Sequence, residues 1–243
     1  MRFLGIIPAQ FNSSRFPGKP LADIDGKPLI QRVFDQVNTS EFLDEVIVAT
    51  DHDAIYAACQ QLNIPVEMTE SFHKSGLERI AEVAGRHPEF DAVIYIHCDE
   101  PFIMSVQIDL LAKGIMYSER TDISTLAKAI REDEDLLDPD IVKIVFGMDQ
   151  EAIYLSRHPI PYYHKAPVEE WLLRQPYYKH IGLYGFRRDI LLEVTGINES
   201  NLEKSEDITA LRWIENEYHV RVQLTDLDSI EINTPEDLER LLN

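Results

Sequence analysis

Residues 4–21 read LGIIPAQFNSSRFPGKPL, and the fold turns on this stretch. Leu4–Pro8 is a short apolar run, read as a buried first strand, and it breaks into a polar loop holding Pro17, Gly18 and Pro20. A helical period follows: Leu29, Ile30, Val33, Phe34 and Val37 share one face of Pro28–Val37. Strand, loop and helix make one α/β unit, and the unit repeats. Glu45–Thr50 (EVIVAT) is a second strand, followed by Asp51-His52-Asp53 and helix-like Ala54–Leu62. Val66–Thr69 is a third, with amphipathic Leu77–Ala84 after it. Ala92–His97 (AVIYIH) is apolar on both faces, which marks a central strand, and Ser105–Tyr117 reads as the next helix. This alternation predicts a mostly parallel sheet with helices on both faces and ligands at the strands' carboxyl ends. The loops after Pro8, Thr50 and His97 are therefore where a site is expected.

After Ser118 the texture changes. Ile123–Ile130, Ile141–Phe146, Ala152–Leu155 and Ile181–Phe186 read as strands, separated by the polar run Arg131–Asp140 and the aromatic stretch Tyr162–Tyr178. Residues 118–190 are expected to form an antiparallel insertion packed on the sheet and to offer a dimer surface, within a single domain spanning 1–243. The pattern then returns to a helix at Ser205–Asn216, a strand at Val220–Leu224 and a short strand at Ile230–Asn233. Thr234 as N-cap, Pro235 at the first helical position and the early acids Glu236 and Asp237 predict a closing helix, Pro235–Leu242.

Charge narrows the function. With 43 acidic against 23 basic residues the chain carries a formal charge of -20, which repels nucleic acid and anionic membranes. Neither kind of partner is expected. The N-terminal apolar run is too short for a signal peptide or a membrane span, so the chain is read as cytoplasmic. Cys59 and Cys98 form no CxxC or zinc spacing and are expected to be buried thiols.

Against that acidic background the first loop stands out. It brings Gln10, the Ser13 and Ser14 hydroxyls, and the cations Arg15 and Lys19 to the end of a strand. Backbone N–H groups, hydroxyls and two cations suit a triphosphate, although the P-loop spacing GxxxxGK[ST] is absent. Composition alone would equally allow an ordinary surface loop. His97-Cys98-Asp99-Glu100-Pro101 follows the central strand, where Asp99 could hold a divalent cation against phosphate oxygens or simply cap the next helix. His73-Lys74-Ser75-Gly76-Leu77-Glu78-Arg79 opens a helix with two cations, fitting a base or phosphate at its N-terminus or a well-capped start. Arg157, His180 and Tyr184 offer cation, imidazole and phenol to a carboxylated, polyhydroxylated ligand.

Taken together, SSRFPGKPLADIDGKPLIQRV, VIVATD, HKSGLERIAEV, DEPFI, IVKIV, YLSRHPIPY, YYKHIGLYGFR, LRWIENEY and NTPEDLERL resemble, in order and over nearly the whole chain, the 3-deoxy-manno-octulosonate (Kdo) cytidylyltransferases. The resemblance implies a Rossmann-like nucleotidyltransferase fold, a homodimer, and Mg²⁺-dependent joining of CTP to a small acidic sugar in the lipopolysaccharide precursor pathway. It further implies that Arg15 and Lys19 grip the triphosphate, with Gln10, Ser13, Ser14, Ser75, Arg79 and His97 on the nucleotide side. Asp99 and Asn233 would bind the metal, and Arg157, His180 and Tyr184 would face the sugar acid. Four departures accompany the likeness. The loop has Gln10 where the family carries Arg, and His97-Cys98 stands where it has Gln-Gly. Asn233 replaces a metal-binding Asp, and Thr209-Ala210 replaces Glu-Gln. These positions motivate a second reading, a catalytically impaired relative that binds only nucleotide or a protein partner. A nicotinamide enzyme is set aside because the first turn lacks GxGxxG.

Overall fold

The computed structural model describes residues 1–12, 15–228 and 230–242. The first half runs β1 (Phe3–Ala9), the two-residue ribbon strands β2 (Asp23–Ile24) and β3 (Lys27–Pro28), α1 (Leu29–Val37), β4 (Leu43–Thr50), α2 (Asp53–Gln61), β5 (Val66–Met68), α3 (Gly76–Arg86), β6 (Ala92–Tyr95) and α4 (Ser105–Tyr117). The second runs β7 (Ile123–Ala129), α5 (Asp133–Leu137), β8 (Lys143–Phe146), β9 (Ala152–Ser156), α6 (Trp171–Arg174) and β10 (Tyr178–Arg187). It closes with α7 (Arg188–Val194), α8 (Asn201–Glu206), α9 (Ala210–Glu215), β11 (Val220–Leu224) and α10 (Pro235–Leu242).

The main sheet has the order β11-β7-β10-β6-β1-β4-β5, with β6, β1, β4 and β5 parallel and β10 running against both its neighbours. Alternate side chains of the parallel strands enter two separate cores. Phe3, Ile7, Val46 and Val48 pack with Ile30, Val33, Ile55 and Leu111 from α1, α2 and α4. Leu4, Ile6, Ile47 and Ala49 pack with Ile80, Val83, Leu191 and Trp213 from α3, α7 and α9. Burial on both faces explains why these strands read as continuous apolar runs in the sequence.

Four expectations are corrected. The 118–190 segment is not laid on the sheet: β7 and β10 are hydrogen-bonded into it, and the β8–β9 hairpin extends from β10. The polar run 131–140 contains α5, which buries Leu136 beside Trp171 and Tyr177. The helix expected at Ser205–Asn216 is two, because Asp207 adopts a left-handed φ of 54° and ends α8. The signal lay upstream, where Ser200 and Glu203 form a reciprocal capping box that starts α8 early. Residues 230–233 form no strand. Ile232 instead makes a single backbone bond to the Asp99 carbonyl at 2.9 Å and buries its side chain with Ile24 and Leu29.

Phe186 and Trp213 meet edge-on at 5.3 Å between centroids, both within 1% of full burial, at the centre of the second core. Phe186→Ala is expected to lower unfolding free energy by about 3–5 kcal/mol in urea titration. Leu173→Ala, at a side chain that is 83% exposed, should change it by less than about 0.5 kcal/mol. Equal midpoints for the two variants would refute this placement of the core.

Candidate active site

The three loops singled out in the sequence converge at the carboxyl ends of β1, β4 and β6. The first closes on itself: the Gly18 N–H donates to the Phe11 carbonyl at 2.8 Å, and Gly18 has a φ of 72° that suits glycine. This turn presents Lys19, whose Nζ donates to Asp99 Oδ2 at 2.6 Å and to the Ile232 carbonyl at 3.1 Å. Arg15 reaches the same returning segment, donating to Asn233 Oδ1 at 2.9 Å. Phe11 stacks on His52 at 3.9 Å, tying the first loop to the end of β4. Ser13 and Ser14 lie outside the described residues.

Two clefts meet here, sharing Gly76, Tyr95 and His97 in their walls. The smaller, ≈ 180 Å³, is lined by Gln10, Lys19, Arg79, Tyr95, His97 and Asp99. The wider, ≈ 1050 Å³, takes in Ser75, His97, His180, Tyr184, Thr209 and Arg212. Gly76 is needed for its lack of a side chain, since a Cβ there would stand 2.3 Å from the Tyr95 hydroxyl. Ser75 caps α3, its hydroxyl accepting from the Glu78 N–H at 3.2 Å. Arg79 works from behind the wall: fully buried, it pairs with Asp51 at 3.0 Å and donates to the Thr69 hydroxyl.

Burial sets the protonation of the walls. The Tyr95 and Tyr184 hydroxyls are pushed well above the ordinary phenol range by burial, with the Asp99, Glu231 and Glu100 carboxylates adding to it at Tyr95. Both are neutral hydrogen-bonding groups. Burial and then the neighbouring His97 push His180 down to about 4. Its Nε2 lies 2.8 Å from the Thr125 hydroxyl, which in turn donates to the Leu183 carbonyl at 2.9 Å. That chain assigns the proton to Nε2 and leaves Nδ1 as an acceptor.

Gln10, Lys19, Ser75, Arg79, His97, Asp99, His180 and Tyr184 are thus gathered around one double cleft. Arg157 is not. It lines a separate ≈ 740 Å³ cavity with Trp171 and Glu206, donating to the Glu206 carbonyl at 2.7 Å and the Pro139 carbonyl at 3.1 Å. Asp99 and Asn233, expected as a metal pair, give one oxygen each to Lys19 and Arg15 respectively. Of the replaced pair, Thr209 lines the wider cleft and Ala210 is buried. Sequence reasoning missed Tyr95, whose hydroxyl at the end of an apolar strand was its available signal. It also missed Lys204, which carried none, and Arg212, although the LRWIENEY motif contains it.

A mostly parallel sheet with cations and carboxylates converging at the ends of β1 and β6 fits a nucleotidyltransferase. The chain belongs to the cytidylyltransferase family, whose model matches residues 4–226. It is 44% identical over 247 residues to the 3-deoxy-manno-octulosonate cytidylyltransferase of Parabacteroides distasonis, covering 100% of this chain and 97% of that protein. It is 41% identical to the protein of the same name in Cytophaga hutchinsonii, covering 98% and 95% respectively. The solved structure of CMP:2-keto-3-deoxy-manno-octonic acid synthetase complexed with CTP superposes with a TM-score of 0.92 at 33% identity, over 100% of this chain and 97% of that one.

The depressed His180 value has a consequence for stability. The unfolded chain takes up this proton near the ordinary histidine range and the folded chain only near pH 4, so stability falls as pH drops from about 6.5 toward 4. His180→Gln should remove about 1–3 kcal/mol of that fall while leaving the profile above pH 7 unchanged in shape. Parallel profiles for the two proteins between pH 4 and 6.5 would contradict a buried neutral imidazole.

Proposed function

We propose that this chain transfers the cytidylyl group of CTP to Kdo or a closely similar ulosonic acid, giving a CMP-sugar for lipopolysaccharide assembly and releasing pyrophosphate. The observation that carries this reading is the Lys19–Asp99 contact, which joins the first loop to the end of β6 at the mouth of the double cleft. The full-length relatives and the CTP-complexed neighbour support the same reaction; the silent-relative reading gains nothing from them.

In this reading the phosphates lie beside Arg15 and Lys19 and the sugar acid fills the wider cleft. Lys74, Lys204 and Arg212 line that cleft and suit a carboxylated ligand, although Arg212 is already held by both oxygens of Glu203 at 2.7 and 2.6 Å. The anomeric hydroxyl attacks the α-phosphorus in line, and the pyrophosphate oxygen leaves on the opposite side. Lys19 and Arg15 oppose the charge that develops on the phosphoryl and leaving oxygens. Neutral His180, through Nδ1, and the phenols of Tyr95 and Tyr184 orient the sugar hydroxyls. Mg²⁺ is proposed to arrive with the nucleotide phosphates, and Asp99 and Asn233, whose oxygens face Lys19 and Arg15 in the nucleotide-free chain, would hold it there.

Two coarser proposals accompany this. Exposed Leu137, Ile153, Tyr162 and Leu173 make residues 118–190 the proposed homodimer surface, within one folding unit. The cytoplasm is the proposed location; among the described residues no helix is long and apolar enough to cross a membrane.

Pyrophosphate release from CTP with Kdo and Mg²⁺ is the expected activity, and none with any ulosonic acid would overturn the proposal. Lys19→Ala should lower kcat/KM by about 10²–10³. Gly76→Ala, which drives a methyl into the Tyr95 hydroxyl, should raise the KM for substrates by about tenfold and lower stability by about 1–3 kcal/mol. Wild-type kinetics for both variants would place the reaction elsewhere.

A further inference from the structure

His97, Glu100 and Glu231 come together where β6 ends. One imidazole nitrogen and one oxygen of each carboxylate all lie within 4.8 Å of one another. Their placement follows from the fold. His97 and Glu100 sit on the loop after β6, with the His97 ring stacked on Tyr95 at 4.6 Å. Glu231 is delivered from the far end of the chain, because its neighbour Ile232 is buried and its backbone is pinned to the Asp99 carbonyl at 2.9 Å. The Asn233 amide donates to Glu231 Oε2 at 3.0 Å and braces that carboxylate.

Two further observations point to a ligand. His97 Nε2 is buried without a hydrogen-bond partner, the condition of an imidazole nitrogen awaiting an acid or a metal. Glu100 is only 1% exposed, and its carboxylate faces both the His97 ring and the Glu231 carboxylate, so two acids and an imidazole share one small space. A divalent cation suits such a donor set. First-row ions hold N and O ligands at about 2.0–2.2 Å, which sets ligand atoms about 3–4.4 Å apart, close to the span of this group. The donor set also selects among ions. Mg²⁺ requires near-octahedral oxygen coordination and gives up water reluctantly, whereas one imidazole with two carboxylates suits Mn²⁺, Co²⁺ or Zn²⁺.

We infer that His97, Glu100 and Glu231 form a binding site for a first-row divalent transition ion, separate from the Asp99–Asn233 pair. In the nucleotide-free chain Lys19 keeps Asp99 while the ion occupies the neighbouring triad, and the site is open to solvent on the Glu231 side. Binding requires no nucleotide and stands apart from the cytidylyl-transfer reading. The triad would give this chain an ion of its own at the edge of the phosphate cleft, distinct from any Mg²⁺ that accompanies CTP.

The test is Mn²⁺ titration of the full chain without nucleotide, followed by the electron paramagnetic resonance signal of the free ion, with Mg²⁺ as competitor. One Mn²⁺ per chain is expected, resisting a tenfold excess of Mg²⁺. His97→Gln and Glu231→Gln should each weaken it by about tenfold or more, and Asp99→Asn by less. Glu231 is exposed, so its variant keeps the test valid if His97→Gln folds poorly. Absence of stoichiometric Mn²⁺ binding, indifference to both variants, or greater sensitivity to Asp99→Asn than to His97→Gln would each overturn the inference. Pyrophosphate release in Mg²⁺ is scored separately and bears on the reaction alone.

Discussion

The contact between Lys19 and Asp99 holds the functional end of this molecule together. Three stretches distant in sequence meet at one ammonium group: the first loop supplies it, the end of β6 receives it, and the Ile232 carbonyl accepts from it as well. The two side chains are 13% and 21% exposed, so the pair sits between the surface regime, where such contacts contribute little, and the buried one, where removing a partner costs several kcal/mol. Its value is in position. It keeps a cation at the strand ends that a phosphate ligand can claim, and it keeps a carboxylate from repelling that ligand. An acidic chain with a net charge of -20 needs such local compensation before an anion can approach.

That contact depends on a sheet whose strands cannot move independently. β1 and β6 are parallel neighbours, and each is clamped between helices on both faces, so the points where they end are fixed relative to one another. The antiparallel β10 extends the same rigidity to the other wall, where His180 and Tyr184 project from a strand bonded to both β6 and β7. Tyr184 is further held edge-on against Trp213 at 4.9 Å. The helix α10 and Ile232 bring the last segment back beneath the first loop. A site assembled this way is preorganised by packing, with loops contributing only the final few residues.

Much of this was legible beforehand. Strands buried on both faces announce themselves as apolar runs, so β1, β4, β6 and β11 were placed within two residues. The loop from Gln10 to Leu21 was recognisable because its two cations are conspicuous in an acidic chain. What the sequence hid were features set by long-range geometry. Arg157 donates to the Glu206 and Pro139 carbonyls in a cavity apart from the double cleft, a placement no local pattern carries. The Arg15 contact to the Asn233 amide oxygen spans more than two hundred positions and has no local signal either. Asp207 ends a helix with a left-handed turn that a propensity reading passes over. The proximity of Glu231 to His97 joins residues more than a hundred positions apart, and no local pattern carries it.

The central claim is that these residues, including the unusual Gln10 and Asn233, still make a working nucleotide site. Calorimetric titration of the purified chain with CTP, with and without Mg²⁺, tests it most directly. The expected result is one CTP per chain, bound more tightly with Mg²⁺ and weakened when Lys19 is replaced by alanine. Absence of heat under both conditions, or binding that ignores Lys19, would contradict the account.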